Sequence, residues 1–245
     1  MTGPERTEAL DDLALRVINP YAIMAGALVI LALFVRFSPL PDNVSEDEAT
    51  HASGADRGSV MAYPQLVLGA VALFFYVGAE VIAGDAIGLY GQSQGIPLSE
   101  TKNFTSWTLG AMLVGYVIGI LTIPKYITQA RALMVSSVAG IALACAAMLT
   151  SGYTSVLCIA LLGLANALMW PAIWPLAIEG LGKYTKTGSA LLIMGIVGGA
   201  VLTPMFGALS DSPAVGSRMA LLIFMPCYLF IGWYAVKGHK LRSWS

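Results

Sequence analysis

An acidic side chain lies inside a long apolar stretch of this chain. Glu80 stands near the middle of the run from Pro64 to Gly91, where placing a charged side chain in a bilayer costs roughly 2.5–3.5 kcal/mol. That cost favours an interior, water-accessible face, where the carboxylate could bind a polar ligand or an ion. A structural hydrogen bond to a facing helix is the alternative. Asp85 lies nearer the outer end, about 140° around the helix from Glu80, so we expect a solvated rim residue there, with ion contact as the less favoured role.

A second group of polar and aromatic residues recurs at helical spacing. Asn166, Trp170 and Trp174 follow one another at i, i+4 and i+8, so they share one face of a predicted helix. A buried amide without a partner is costly, which favours an inward direction for this face. Amide groups and aromatic rings bind ligands without covalent chemistry. Helix packing is the alternative, or an interfacial aromatic belt for the tryptophans.

Prolines and glycines predict bends in the same part of the chain. Pro171 and Pro175 each remove a backbone hydrogen bond and favour a kink. Gly198 and Gly199 are expected to loosen the next apolar stretch in a similar way. Bent membrane helices border binding sites and gates, although close helix packing is the commoner use of such residues.

The composition is that of a membrane protein. Hydrophobic residues make up 57% of the chain and charged residues 11%, whereas about a quarter of an ordinary globular domain is charged. No basic cluster is long enough to bind nucleic acid. The three cysteines are scattered through apolar stretches and both histidines lie outside them, so neither a disulfide framework nor a metal centre is predicted. Without a hydrolase motif either, the sequence indicates a non-enzymatic protein with no cofactor.

Seven apolar stretches are long enough to cross a bilayer as helices, which takes about 20 residues each. The runs are continuous, whereas lipid-facing barrel strands would alternate between apolar and polar residues. We therefore predict an all-α integral membrane protein. The predicted spans are Ile18 to Phe37, Pro64 to Gly91, Phe104 to Tyr126, Leu133 to Thr150, Tyr153 to Leu181, Gly188 to Leu209 and Met219 to Val236.

The distribution of lysine and arginine orients these spans. Basic residues concentrate in the short loops on one side, which the positive-inside rule assigns to the cytoplasm. We predict an inner-membrane protein with a cytoplasmic tail over 238–245, a cytoplasmic linker over 38–63 and a polar external segment over 1–17. The acidic residues of that first segment do not fit a cleavable signal peptide. The cytoplasmic basic residues are Lys125, Arg131, Lys183, Lys186, Lys237, Lys240 and Arg242.

The linker separates one span, 18–37, from a six-helix unit over 64–237. This division is natural for part of a twelve-helix secondary transporter, whose halves each contain two three-helix inverted repeats. The first span would then be the last helix of the first half. A seven-helix retinal protein does not fit, because the last span has no lysine before Lys237 for a Schiff base.

Four segments of the chain carry a resemblance to a known family. The first two are INPYAIMAGALVILALFVRFSPLP and FFYVGAEV, from Phe74 to Val81. The longest is NALMWPAIWPLAIEGLGKYTKTGSALLIMGIVGGAVLTPMFGALSD, from Asn166 to Asp211, and the last is the ending PCYLFIGWYAVKGHK. Together they resemble the major facilitator superfamily, specifically the fucose permease and glucose/galactose transporter group, in which the first segment is similar to the sixth helix and the ending to the last helix and tail.

The resemblance implies a monosaccharide carrier, commonly proton-coupled, that works by alternating access. With a sugar as the ligand, the polar and aromatic residues singled out above, Glu80, Asn166, Trp170 and Trp174, become the candidate sugar contacts. Membrane lipid and the missing first half are further expected partners. The acids credited with proton coupling lie in that first half, so no coupling residue is assigned, and the group has no acid where Asp85 stands. The alternative is a non-transporting six-helix half, either an assembly partner or a truncated product.

Overall fold

The computed structural model describes residues 3–37, 58–123 and 125–244, with side chains from Ile18 onward except Val35. The chain divides into two compact units, 1–48 and 49–245. Of the predicted linker, residues 38–57 lie outside the described part. The first unit contains one helix, α1 (Gly3–Phe37), whose apolar portion Ile18–Phe34 is shorter than the membrane-length helices of the second unit.

The second unit contains six helical segments that are long and apolar enough to cross a membrane. Each segment satisfies its own backbone hydrogen bonds, as a helix in lipid must, and every regular element in the described ranges is helical. The predicted all-α fold is therefore confirmed. Its helices are α2 (Pro64–Asp85), α3 (Ile87–Ser93), α4 (Leu98–Thr101), α5 (Phe104–Thr122), α6 (Gln129–Leu149), α7 (Gly152–Asn166), α8 (Met169–Ile178), α9 (Thr185–Met194), α10 (Val197–Asp211), α11 (Gly216–Ala220) and α12 (Phe224–Val236).

Four of the membrane-length segments are interrupted, one of them by the turn at Lys102 and Asn103 between α4 and α5. The other three are interrupted near a proline or a glycine. The first, Gly152–Ile178, breaks between α7 and α8 at Ala167 and Leu168. Pro171 explains this position, because it has no N–H to bond to the carbonyl of Ala167, four residues earlier.

The second interruption separates α9 from α10, where Gly195 and Ile196 donate to the carbonyls three residues earlier instead of four. The third places a 3₁₀ turn, Leu221–Ile223, before α12. Pro226 has no N–H to bond to the carbonyl of Leu222, four residues earlier, so the regular α-helix begins only after this turn. Prolines and a glycine thus account for these three breaks.

Helix α2 lies at the centre of the second unit and packs against α8, α10 and α12. Glycines bring the neighbouring backbones close to it, since a Cβ at Gly198 would collide with the carbonyl of Phe74. At Gly69, a Cβ would lie 2.6 Å from Cβ of Ala177 and 2.9 Å from the hydroxyl of Tyr234. This packing holds α2 and α8 side by side, and these two helices carry most of the candidate binding residues.

Candidate functional site

Glu80 lies on α2 one turn after Tyr76, and the two side chains are bonded. The hydroxyl of Tyr76 donates to Oε1 of Glu80 at 2.6 Å. Tyr76 is 1% exposed and Glu80 is half-buried. The second carboxylate oxygen, Oε2, has no hydrogen-bond donor among the described residues. One acceptor atom of Glu80 is therefore available for a ligand.

Two further tyrosines bring hydroxyl groups within electrostatic range of the Glu80 carboxylate. They are Tyr116 on α5 and Tyr228 on α12. Tyr116 is partly exposed, whereas Tyr228 is fully buried. The carboxylate thus has phenol groups from three different helices within electrostatic range, of which Tyr76 is the one bonded to it.

Asn166 is the last residue of α7 and is fully buried. Its Oδ1 accepts from the hydroxyl of Tyr228 at 3.0 Å. Its Nδ2 is buried with no hydrogen-bond partner in the described part of the chain. A buried amide left without an acceptor costs about 1–3 kcal/mol, so this donor calls for a functional or conformational explanation.

Trp170 and Trp174 form a stacked pair on α8. Their ring centroids lie 5.8 Å apart with an interplanar angle of 19°. The ring of Tyr76 meets Trp170 edge-on at 6.2 Å, which connects the stack to Glu80. With Pro171, Pro175 and Ile193, the two indoles line an open cavity of about 470 Å³.

The structure connects the two predicted groups through tyrosines. Tyr76 lies between Glu80 and Trp170, and Tyr228 bonds to Asn166. The stripe of Asn166, Trp170 and Trp174 does not lie on one continuous helix, however, because the break at Ala167 and Leu168 separates the amide from the indoles. Pro171 is the physical reason for that break.

The remaining predicted residues surround this arrangement. Asp85 is the last residue of α2 and is exposed. Pro171 is exposed near the start of α8, and Pro175 lies inside that helix. Gly198 and Gly199 lie in the first turn of α10, packed against Phe74 and Val81 of α2 respectively.

Sequence reasoning missed the tyrosines. Tyr76 had a usable signal, since it precedes Glu80 by four residues and so shares its helical face. Tyr228 had none, because it lies 62 residues from its partner Asn166. A local sequence pattern does not predict contacts between residues of different helices.

The bond between Asn166 and Tyr228 yields a stability prediction. In Asn166→Ala, the buried hydroxyl of Tyr228 loses its acceptor, which costs about 1–3 kcal/mol. Adding Tyr228→Phe removes that hydroxyl, so the double variant should lose less stability than the sum of the two single variants. Thermal unfolding of the four proteins in detergent measures this coupling. Strictly additive effects would show that the bond contributes nothing.

Comparison with known proteins identifies relatives of this chain. No family model matches the sequence. The chain is 36% identical over 224 residues to a glucose/galactose transporter of Brucella abortus, covering 90% of this chain and 53% of that protein. It is 24% identical over 216 residues to the L-fucose-proton symporter of Escherichia coli, covering 86% of this chain and 49% of the symporter. The chain therefore spans about half the length of these curated relatives.

Solved structures show the same fold. A crystal structure of FucP, a major facilitator superfamily transporter in the outward conformation, superimposes with a TM-score of 0.76 at 22% identity. The match covers 96% of this chain and 57% of that one. By sequence, the chain is a homologue of proteins named glucose/galactose transporter and L-fucose-proton symporter, it has the fold of the solved transporter, and it corresponds to the C-terminal portion of these relatives.

Proposed function

We propose that this chain forms one wall of the monosaccharide cavity of a proton-coupled secondary transporter that works by alternating access. The observation that carries the proposal is the series of contacts from Glu80 through Tyr76 to Trp170 and Trp174, in which the two indoles line an open cavity. The relatives are named as glucose/galactose and fucose carriers, which supports a sugar as the ligand.

The indole pair supplies the apolar part of sugar recognition. The cavity beside Trp170 and Trp174 measures about 470 Å³, within the size range of small-molecule sites. The C–H face of a pyranose ring packs against aromatic surfaces, and two stacked indoles provide a flat one. Pro171 and Pro175 of the same helix, with Ile193, complete the apolar lining.

Glu80 supplies the polar part. Oε1 is held by Tyr76, which orients the carboxylate, and Oε2 accepts from a sugar hydroxyl. A hydrogen bond to a charged group contributes about 1.5–3 kcal/mol, more than one between neutral groups. Glu80 is therefore the residue on which affinity depends most.

Asn166 enters the site through the helix break. In this conformation its side chain is fully buried and Nδ2 has no acceptor. A rearrangement at Ala167 and Leu168 would bring the amide to the cavity, where a sugar hydroxyl accepts from it. Broken helices of this kind form the sites and moving parts of secondary transporters.

The bends in the two interrupted segments near the cavity also have a role in alternating access. Pro171 and Pro175 lie on one side of the cavity and Gly198 and Gly199 follow the break between α9 and α10. We propose these two interrupted segments as the gating elements. For this function we place the protein in the inner membrane with its C-terminus in the cytoplasm, the side that the basic loops indicate.

A complete cavity needs an opposing wall, which we propose is a first transporter half of the same family. The test is uptake of labelled glucose, galactose and fucose by cells that lack their own carriers. We expect uptake when the chain is co-expressed with the first half of the Brucella relative, and none from either half alone. An uncoupler should abolish accumulation if transport is proton-coupled.

Variants of two tryptophans make this experiment specific. Trp170→Ala should lower uptake at least about tenfold, because it removes the sugar platform, and Trp170→Phe should restore part of it. Trp107→Ala is the matched control, since Trp107 lies on α5 and packs against Phe104 away from the cavity. Absence of uptake under all conditions would favour a non-transporting assembly partner, and uptake by the chain alone would contradict the need for a first half.

A further inference from the structure

A second cavity lies at the end of the bundle where α6 begins and the last membrane-length segment ends. It has a volume of about 490 Å³. Two basic side chains line it, Arg131 from the first turn of α6 and Lys240 from the turn after α12. Both are exposed, and neither forms an ion pair with a carboxylate of the described residues. The pocket therefore carries two positive charges without a counter-charge from the protein.

The backbone adds to the positive potential. Thr128 caps α6 by accepting from the amide of Arg131 at 3.3 Å, and the amide of Ala132 bonds to the carbonyl of Thr128. The amides of Gln129 and Ala130 have no acceptor in the described part of the chain, and Ala130 lines the pocket. A helix N-terminus carries about half a positive charge, and free amides there bind phosphate groups.

A buried histidine makes this wall of the pocket rigid. His239 is 8% exposed and its Nδ1 lies 3.0 Å from the carbonyl oxygen of Tyr234. Because a carbonyl only accepts, Nδ1 carries the hydrogen. The ring also packs edge-on against Tyr234 at 6.3 Å. The backbone that carries Lys240 is thus held against the end of α12.

The rest of the lining is apolar and continues onto the surface of the bundle. Met134 and Val236 line the pocket, and exposed apolar side chains extend from it along both helices. An inorganic anion would gain nothing from these surfaces, whereas acyl chains would cover them. The exposed side chains concerned are Val135 and Val138 on α6 and Leu229 and Trp233 on α12.

We propose that this pocket binds the headgroup of an anionic phospholipid. The phosphate lies between Arg131, Lys240 and the first amides of α6, and the acyl chains follow the apolar faces of α6 and α12. Basic pockets between membrane helices bind lipid headgroups of this charge, and each basic residue near the membrane surface strengthens attraction about fivefold.

The experiment uses the full chain purified in detergent and mixed with phosphatidylglycerol or phosphatidylcholine. Native mass spectrometry counts the lipid retained. We expect the chain to retain phosphatidylglycerol at least about tenfold better than phosphatidylcholine. The double variant R131Q/K240Q should lose most of that preference, and the charge-conserving R131K/K240R should keep it.

Lys237→Gln is the matched control. Lys237 is exposed three residues before Lys240 but does not line the pocket. Its removal takes away one positive charge outside the pocket and should leave the preference within about twofold. Far-UV circular dichroism checks that each variant is folded. An equal loss in Lys237→Gln, or no loss in R131Q/K240Q, would overturn the proposal. Displacement of the lipid by an equal concentration of inorganic phosphate would show a free-anion site instead.

Discussion

Replacing Glu80 by glutamine is expected to weaken monosaccharide binding by about 10- to 100-fold in the assembled transporter, while membrane insertion is unchanged. The substitution keeps the shape of the side chain and an acceptor for Tyr76. It removes the charge that strengthens a hydrogen bond to the sugar, which is worth about 1.5–3 kcal/mol for a charged partner, and each 1.4 kcal/mol is about tenfold in affinity. Isothermal titration of the purified transporter with each sugar measures the effect.

Asp85→Asn is the control for this substitution. It makes the same change of charge five residues later on the same helix, but at an exposed position. We expect its sugar affinity to equal that of the unmodified protein.

Asn166→Ala should also weaken sugar binding, because it removes the buried amide next to the helix break. Unchanged affinity in both Glu80→Gln and Asn166→Ala would remove these residues from the site.

The second large effect is expected at Gly198, where α10 lies against α2. A Cβ at this position would overlap the carbonyl of Phe74. That carbonyl belongs to a helix backbone and cannot rotate away, so Gly198→Ala must push the two helices apart. Overpacking of this kind costs about 2–3 kcal/mol. Thermal unfolding in detergent should show a clearly lowered transition temperature.

Gly207→Ala tests whether this cost is due to packing. Gly207 lies on the same helix, and an added Cβ would meet no atom within 4 Å. Alanine is the better helix former by about 0.5–1 kcal/mol, so this variant should be as stable as the unmodified protein or slightly more so. Equal destabilisation by both substitutions would contradict the packing explanation, since of these two glycines Gly198 contacts α2 and Gly207 does not.

Several features of the fold could be predicted from the sequence because they depend on local chemistry. A helix in lipid must satisfy its own backbone groups, so each membrane-length segment shows itself as a continuous apolar run, and six such segments are present in the second unit. Relatedness to the glucose/galactose and fucose carriers was likewise readable from contiguous residues, above all those from Asn166 to Asp211.

The candidate site was predictable only in part. Glu80 and the indoles could be singled out because polar and aromatic groups stand out within apolar runs. The helix break between Asn166 and Trp170 could not be placed by spacing, which assumes an unbroken helix. Pro171 predicts a bend, but the turn at Ala167 and Leu168 is visible only in the structure.

By itself, then, the sequence determined the class of protein, its relatives and the set of polar and aromatic residues available for binding. Tertiary structure alone decided which of them meet. Tyr228 reaches Asn166 from another helix, Tyr76 joins Glu80 to the indole pair, and Arg131 and Lys240 come to line one pocket. The physical reason is that hydropathy acts on each segment separately, whereas contacts between helices depend on side-chain packing and on the glycines that permit close approach.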